Sequence, residues 1–425
     1  MPFQFDVSKT CAVTLDAADI LAHVKSEFLF PQIHGKKVIY FCGNSLGLQP
    51  KRTRREIDAE LESWQQLAVG GYFGGKNPWL YYHDYCKPAL SKIVGCFANE
   101  VTVMNALTVN LHLLMQSFYR PTANRYKIIM EAGAFPSDQY AVETQVKQYS
   151  QYLGIDPASA IIEIAPRSGE KLLRTEDIVA SIEINANELA LVMFSGMNYY
   201  TGQLFDIKGI TKAAHKAGAF AGFDLAHVAG NVPVQLHKWD VDFAVWCSYK
   251  YLNAGPGAVG GVFIHEKHVA NTEMPRLGGW WGNDEKLRFK MEKGFLPKAD
   301  VNGWCLSTSQ VFNTVALKAS LEIFEEAGIE NIRAKSIQLT AYLEYLLSQL
   351  TNLNFEIITP AVPAERGAQL SLFFKERGRE IHDKMIENGI VVDYREPGVI
   401  RVALAPLFCS FSDVYRFYEI LKDEF

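Results

Sequence analysis

Between residues 101 and 265, short apolar runs alternate with longer amphipathic ones, and that alternation constrains the fold more than any other feature of the chain. The apolar runs are VTVM (101–104), KIIME (127–131), IIEIA (161–165), LALVMFS (189–195), AFAGFD (219–224), DFAVWC (242–247) and GGVFIH (260–265). Each has the length of a strand and is apolar on both faces, as a strand covered by helices on both sides must be. Helical patterns fill the gaps at 108–119, 136–150, 175–185 and 206–217. Thr175, followed by Glu176 and Asp177, reads as an N-cap with acidic first-turn residues. The alternation predicts an α/β fold with a mostly parallel, seven-stranded sheet between helical layers.

Helical patterns also flank this region at 52–68, 311–327 and 330–350. Beyond residue 350 the character changes: strands near 355–358, 369–374, 391–394 and 399–404, and helices at 378–388 and 411–423. A chain of 425 residues exceeds one ordinary core. The expected division is a large domain over 51–310 and a small C-terminal α+β domain over 311–425, with 310–350 as connecting helices. The first 50 residues are expected to pack as an arm on the small domain, since termini of compact units commonly lie close together.

The formal net charge is −5 and no basic block occurs, which argues against a nucleic-acid partner. No apolar run approaches the ~18 residues of a membrane span. The segment MPFQFDVSKTCAVTLDAAD has neither a basic region nor an apolar core of the signal-peptide kind. Seven cysteines, an odd number with no CxxC pair, fit free thiols better than a disulfide framework or a zinc site. The expectation is a cytoplasmic protein without a metal.

SYKYLNAGPG (248–257) follows an apolar strand and is rich in turn formers, so Lys250 hangs at a strand's carboxyl end, where α/β proteins build sites. Gly255, Gly257 and Gly260 spell G-x-G-x-x-G, but they precede a strand instead of opening a helix, so the dinucleotide reading fails. Asp224 closes the strand AFAGFD, 26 residues before Lys250, and His227 follows it. A carboxylate and an amine can therefore meet in one cleft. Together with a phosphate cradle, they suit pyridoxal 5′-phosphate (PLP): the lysine forms a Schiff base and the carboxylate keeps the pyridine nitrogen protonated. NALTVNLHLL (105–114) is the cradle candidate, with Thr108 at the start of a helix. In AGAFPSDQY (132–140), Phe135 can stack on a planar ring and Asp138 can meet its substituents. Each residue also has an ordinary reading: a solvated lysine, an ion-paired aspartate, a helix-capping threonine, a core phenylalanine. The coincidence at one sheet edge favours the cofactor. Arg401, in GVIRVAL, lies on a strand apolar on both faces, so its guanidinium wants an anion: a substrate carboxylate, or an acid of its own domain.

From about residue 40 to the C-terminus, YFCGNSLGLQPK, PW (78–79), NALTVNLHLLM, AFPSDQYA, FSGMNYYTGQ, GFDLAH, WCSYKYLNAG, FIHEKH, GGWWG and GVIRVA resemble the kynureninase family in order and spacing. The resemblance implies a fold-type-I PLP enzyme, of the aminotransferase class V kind, working as a homodimer with its sites at the subunit interface. It implies hydrolysis of L-kynurenine or 3-hydroxykynurenine to anthranilate, or its 3-hydroxy form, and L-alanine, in tryptophan catabolism and NAD biosynthesis. By the same resemblance Lys250 would carry PLP and act as base, Asp224 would pair with the ring nitrogen, and Phe135 would stack on the ring. Leu107, Thr108, Tyr249 and, across the dimer, Trp280 and Thr308 would surround the phosphate. Ser137, Asp138, Ser195 and His227 would line the ring. Arg401 would clamp the substrate carboxylate, Ser45, Tyr72 and Asn283 would neighbour the aryl end, and Tyr249 would donate the final proton. Tyr72 and Thr308 stand where some members carry histidine and asparagine, which bears on the ring-hydroxyl preference. Two rival readings are a cysteine desulfurase or selenocysteine lyase, for which Cys305 and Cys409 are the cysteines downstream of the lysine, and a non-catalytic chain of the same fold.

Overall fold

All seven expected strands form, and they join one sheet in the computed structural model, which describes residues 5–425. They are β1 (Val101–Met104), β2 (Lys127–Glu131), β3 (Ile161–Ile164), β4 (Leu189–Ser195), β5 (Phe220–Asp224), β6 (Phe243–Cys247) and β7 (Gly260–Ile264). The sheet order is β1-β7-β6-β5-β4-β2-β3. Strand β7 runs antiparallel to both its neighbours, and the pairings from β6 across to β3 are parallel. The carboxyl ends of β2, β4, β5 and β6 therefore share one edge.

Period-two alternation sends successive side chains to opposite faces. Ile129, Val192, Phe194 and Trp246 enter one apolar cluster. Their neighbours Ile128, Met130, Leu191, Met193 and Val245 enter the other. Helices cover both faces, which is why the strands carry no polar face, and each such side chain contributes about 1.5–3 kcal/mol on burial. Gly261 has a packing reason. It pairs with Trp246, and an added Cβ would lie 1.9 Å from the indole.

The helices match their expected spans with small shifts. The helix Leu107–Phe118 starts one residue early, with Ala106 at its cap. Thr175 is not a cap: Arg174 takes that position and Thr175 is the first helical residue, while Glu176 and Asp177 do lie in the first turn. Arg174 is held upstream by paired hydrogen bonds to Glu170, so the helix begins one residue sooner.

Beyond the long helices Val311–Ala327 and Ile329–Leu347, four strands form an antiparallel sheet. These are β8 (Glu356–Ile357), β9 (Gln369–Phe373), β10 (Asp393–Arg395) and β11 (Val399–Ala403), in the order β8-β9-β11-β10. The early residues reach this sheet and its surroundings directly: Ala403 of β11 donates its N–H to Phe41 O at 2.9 Å. Ile39–Tyr40 pairs in parallel with Ile390–Val391. Asp16 accepts the N–H of Phe411 at 2.7 Å and of Ser412 at 3.1 Å, and Lys335 pairs with Asp19 at 2.7 Å out of solvent. Among the described residues no helix is long and apolar enough to cross a membrane.

Candidate active site

The parallel edge brings three acidic or hydroxyl-bearing strand ends together: Glu131 closes β2, Ser195 closes β4 and Asp224 closes β5. Asp224 and Ser195 are register partners. Lys250 enters the same cleft from the turn after β6. Leu107, Thr108, Phe135, Ser137, Asp138 and His227 line it, as do Ser195, Asp224, Tyr249 and Lys250.

Asp224 is buried, and its Oδ1 accepts the Ala226 N–H at 2.7 Å. Its carboxyl shares a hydrogen bond with that of Asp138. Burial pushes both acids up; the Asp224 charge raises Asp138 further, whereas the Lys250 charge and the hydrogen bond from Asp138 pull Asp224 back down. His227 is held well below its usual range by burial and by the positive charges of Lys250 and Arg401. Asp138 Oδ1 and His227 Nδ1 are buried without a hydrogen-bond partner. Lys250 Nζ lies 5.6 Å from the Phe135 ring centroid. Burial raises the Tyr249 hydroxyl above its usual range and the neighbouring Cys247 thiol to about 11.

The phosphate-cradle candidate has the right local form. No side chain caps the helix Leu107–Phe118, so its first-turn N–H groups remain free for an anion. The adjacent Gly260 permits close approach: an added Cβ would lie 3.1 Å from Leu107 N and 2.8 Å from Asn110 Nδ2. Gly255 and Gly257 take positive φ in the turn before β7, with no helix following, so the G-x-G-x-x-G pattern is a turn and not a dinucleotide site.

Arg401 receives its anion from its own chain. Register places Asp393 of β10 opposite it, and the Asp393 carboxylate accepts from both Arg401 Nη2 and Ser45 Oγ. Arg401 Nη1 donates to Tyr199 O at 2.8 Å, whereas Nε is buried without a partner. Burial works against the Asp393 charge, but Arg401, Ser45 and Arg395 outweigh it and hold the carboxyl low.

Six expected residues do not line this cleft within the chain: Arg401 and Ser45, which are engaged with Asp393, and four that lie elsewhere. Tyr72 packs edge-on against Trp79. Trp280 is exposed and donates to Arg288 O at 2.9 Å. Asn283 Oδ1 accepts the Leu296 N–H. Thr308 lines a separate hollow with His83, Trp281 and Cys305. One of these, Trp280, lies beside an exposed aromatic residue: the Phe289 ring sits 5.4 Å from Trp280, and 6.4 Å from that of Phe73.

Glu131, Met197, Tyr199 and Asp393 were not singled out by the sequence, yet Met197 and Tyr199 line the cleft and Asp393 holds Arg401. Glu131 had a signal: like Asp224, it ends an apolar strand. Cys305 and Cys409 are buried, and the Cys409 thiol points at Tyr40 O, so neither stands on an exposed loop as a desulfurase nucleophile would. Glu100, His237 and His265 form the one group among the described residues with metal-ligand spacing. Their atoms are already engaged: Glu100 accepts from Phe97 N, Glu266 N and His237, and His265 caps a short helix.

A family model described as the kynureninase C-terminal domain matches residues 332–421. The chain is 51% identical to the kynureninase of Flavobacterium johnsoniae, over 98% of each chain. It is also 51% identical to that of Myxococcus xanthus, over 99% of this chain and 98% of the other. The chain belongs to the kynureninase family. Kynureninases share their fold with more distant enzymes. A cysteine desulfurase of Thermococcus onnurineus superposes with a TM-score of 0.73 at 17% identity, covering 91% of this chain and 94% of the other. A C-DES variant with glycine covalently linked to its PLP cofactor gives 0.74 at 17% identity, covering 91% and 96%. These two likenesses concern the fold alone: a fold-type-I PLP-enzyme scaffold with a mostly parallel seven-stranded sheet and a small antiparallel one.

Proposed function

We propose that this kynureninase-family chain hydrolyses L-kynurenine, or its 3-hydroxy form, to anthranilate or 3-hydroxyanthranilate and L-alanine, as a step of tryptophan catabolism, with PLP held on Lys250. The observation that carries the reading is the opening of Lys250 and Asp224 into one cleft, in a chain half identical to kynureninases over its length.

The residues present fit the cofactor. Uncapped N–H groups at Leu107 and Thr108 suit a phosphate. Buried Asp138 Oδ1 and His227 Nδ1 await partners of the kind a substituted pyridine offers. When bound, PLP supplies an electron sink for bonds broken at the substrate's α- and β-carbons. Asp224 would pair with the ring nitrogen, a cation that would offset the cost of its own buried charge. Phe135, Ser137, Ser195 and neutral His227, which line the cleft, would hold the ring. The Lys250 amine takes the α-proton. Water adds to the ketone carbon beside the aryl ring, and the bond between that carbon and the methylene breaks. Tyr249, kept protonated by burial, then delivers a proton to the methylene carbon. Arg401 receives the substrate carboxylate, with Nε as its unpaired donor and Ser45 beside it.

Trp280 and Thr308 complete the phosphate side, and Tyr72 and Asn283 the aryl side, from a second copy of the chain. The exposed positions of Phe73, Trp280, Phe289 and Met291 support such an interface. The pairing of Ile39–Tyr40 with Ile390–Val391 supports treating the described part of residues 1–50 as an arm on a 311–425 domain, apart from the 51–310 domain that carries the sheet; residues 1–4 of that expected arm lie outside the described residues.

The test is to purify the protein with PLP and offer kynurenine and 3-hydroxykynurenine side by side, following the aromatic amine by fluorescence. Release of equimolar alanine and aromatic amine is expected. Sulfide release from cysteine with no kynurenine cleavage overturns the reading.

A further inference from the structure

Glu131 is a buried carboxylate that the reaction above does not use. It closes β2, 1% exposed, one strand from Ser195 and two from Asp224. The pairing of β2 with β4 ends at Ile129 and Val192, so the Ser195 N–H has no ladder partner there. Glu131 replaces that partner: its two oxygens accept the Ser195 N–H at 3.3 and 3.2 Å, and one of them also accepts the Ser195 hydroxyl proton. Accepting on both oxygens is the pattern of an ionised carboxylate.

A structural need alone does not call for a charge. An amide oxygen accepts an N–H as well, without the several kcal/mol that isolating an ion from water costs. What the charge adds is a fixed direction for Ser195. Its proton is committed to Glu131, so its oxygen presents only lone pairs to the cleft. We propose that Glu131 is a positioning residue for the cofactor, fixing the Ser195 hydroxyl as an acceptor and adding a second negative charge that favours the protonated pyridine ring held by Asp224. This rests on the PLP reading above.

The surroundings make the effect titratable near neutral pH. Burial raises Glu131 to about 7; the Ser195 hydrogen bonds act against the rise, and the Asp224 charge adds to it. The other charged groups of the cleft are Asp138, whose carboxyl the Glu131 charge also raises, and Lys250, which pulls Asp138 and Asp224 down. His227 stays neutral. Above neutrality Glu131 is ionised and aids the ring cation; well below, it is protonated and gives no such aid.

Glu131→Gln keeps an acceptor for the Ser195 N–H, removes the charge and turns the hydroxyl toward the cleft. The measurement is PLP affinity of the apoprotein, by absorbance titration from pH 5.5 to 8.5, for wild type and variant. The expected ratio of affinities is near one at the acid end and rises to about tenfold at the alkaline end, a charge effect through protein at several ångströms. A ratio that stays constant across this range overturns the proposal. Should Glu131→Gln not fold, Ser195→Ala, which leaves the carboxylate bonded to the backbone N–H, carries the test. PLP must then bind several-fold more weakly at pH 8.5, and unchanged affinity overturns the proposal. Wild-type protein that binds no PLP at all sinks the functional reading instead, so the two failures are distinguishable.

Discussion

Lys250 is the amine of a cleft otherwise lined at its base by carboxylates, and its replacement is the sharpest test at the residue scale. Lys250→Ala should lose the visible absorption of the PLP-loaded protein and fall in steady-state kynurenine turnover by roughly 10²–10⁴-fold or more, the range general acid–base groups contribute. Turnover near wild type would remove Lys250 from the chemistry. Arg401→Gln should act on binding instead: KM for kynurenine rises about 10–100-fold, as expected when a charge-assisted contact is lost, with kcat changing less. An equal fall in kcat at constant KM would assign Arg401 a different role. Asp224 and Lys250 were legible in the sequence because each follows an apolar run at a strand's end. Glu131 passes the same test in KIIME and was read only as the end of a strand. Asp393 was not legible, since its partnership with Arg401 depends on the β10–β11 register across an intervening turn.

Among the elements, the seven strands of the large sheet were legible to within a residue because helices cover both sheet faces and leave little polar punctuation inside each run, whereas the run 391–394 splits between Ile390–Val391 and Asp393–Arg395. Helix ends were less so: at Arg174 a side-chain pair with Glu170, not intrinsic capping preference, places the boundary. Opposite the cleft, at the start of β6, Asp242 ties four elements together. It accepts from Ala221 N of β5 at 2.7 Å, from His215 at 2.8 Å and from His268 at 2.7 Å, and it pairs with Lys267 at 3.0 Å. Burial alone would raise this acid, but those donors outweigh burial and hold it below the usual carboxylate range. A carboxyl lowered on folding stabilises the native state above its unfolded pKa of about 3.9, and that stability is lost as pH falls through the lower native value. Asp242→Asn should therefore cost about 3–5 kcal/mol at pH 7 in urea unfolding, the range for breaking a buried charge pair, and less as pH falls below about 4. A cost independent of pH would show that shape, not charge, is what Asp242 supplies.

Over the whole molecule, the reading from sequence and the structure of one chain part at Tyr72, Trp280, Asn283 and Thr308. The cleft-lining residues follow from strand ends of a single sheet, so local pattern locates them; these four lie elsewhere on the chain, with Trp280 next to exposed Phe289. A site assembled from two copies has no mark in the hydrophobic pattern of one, because an interface residue reads as a surface residue until the partner is present. A two-fold assembly offers a direct test, since each cleft would take Lys250 from one subunit and Trp280 with Thr308 from the other. Lys250→Ala and the double variant Trp280→Ala/Thr308→Ala should each be nearly inactive alone. Co-expressed, they should form hybrids in which one cleft carries every defect and the other carries none, so kynurenine turnover returns to about a quarter of wild type for random pairing in a two-fold dimer. Chains that work singly cannot complement in this way. A mixture no more active than its parts, with both variants binding PLP and sedimenting as dimers, would place Trp280 and Thr308 outside the site and leave the cleft of one chain complete.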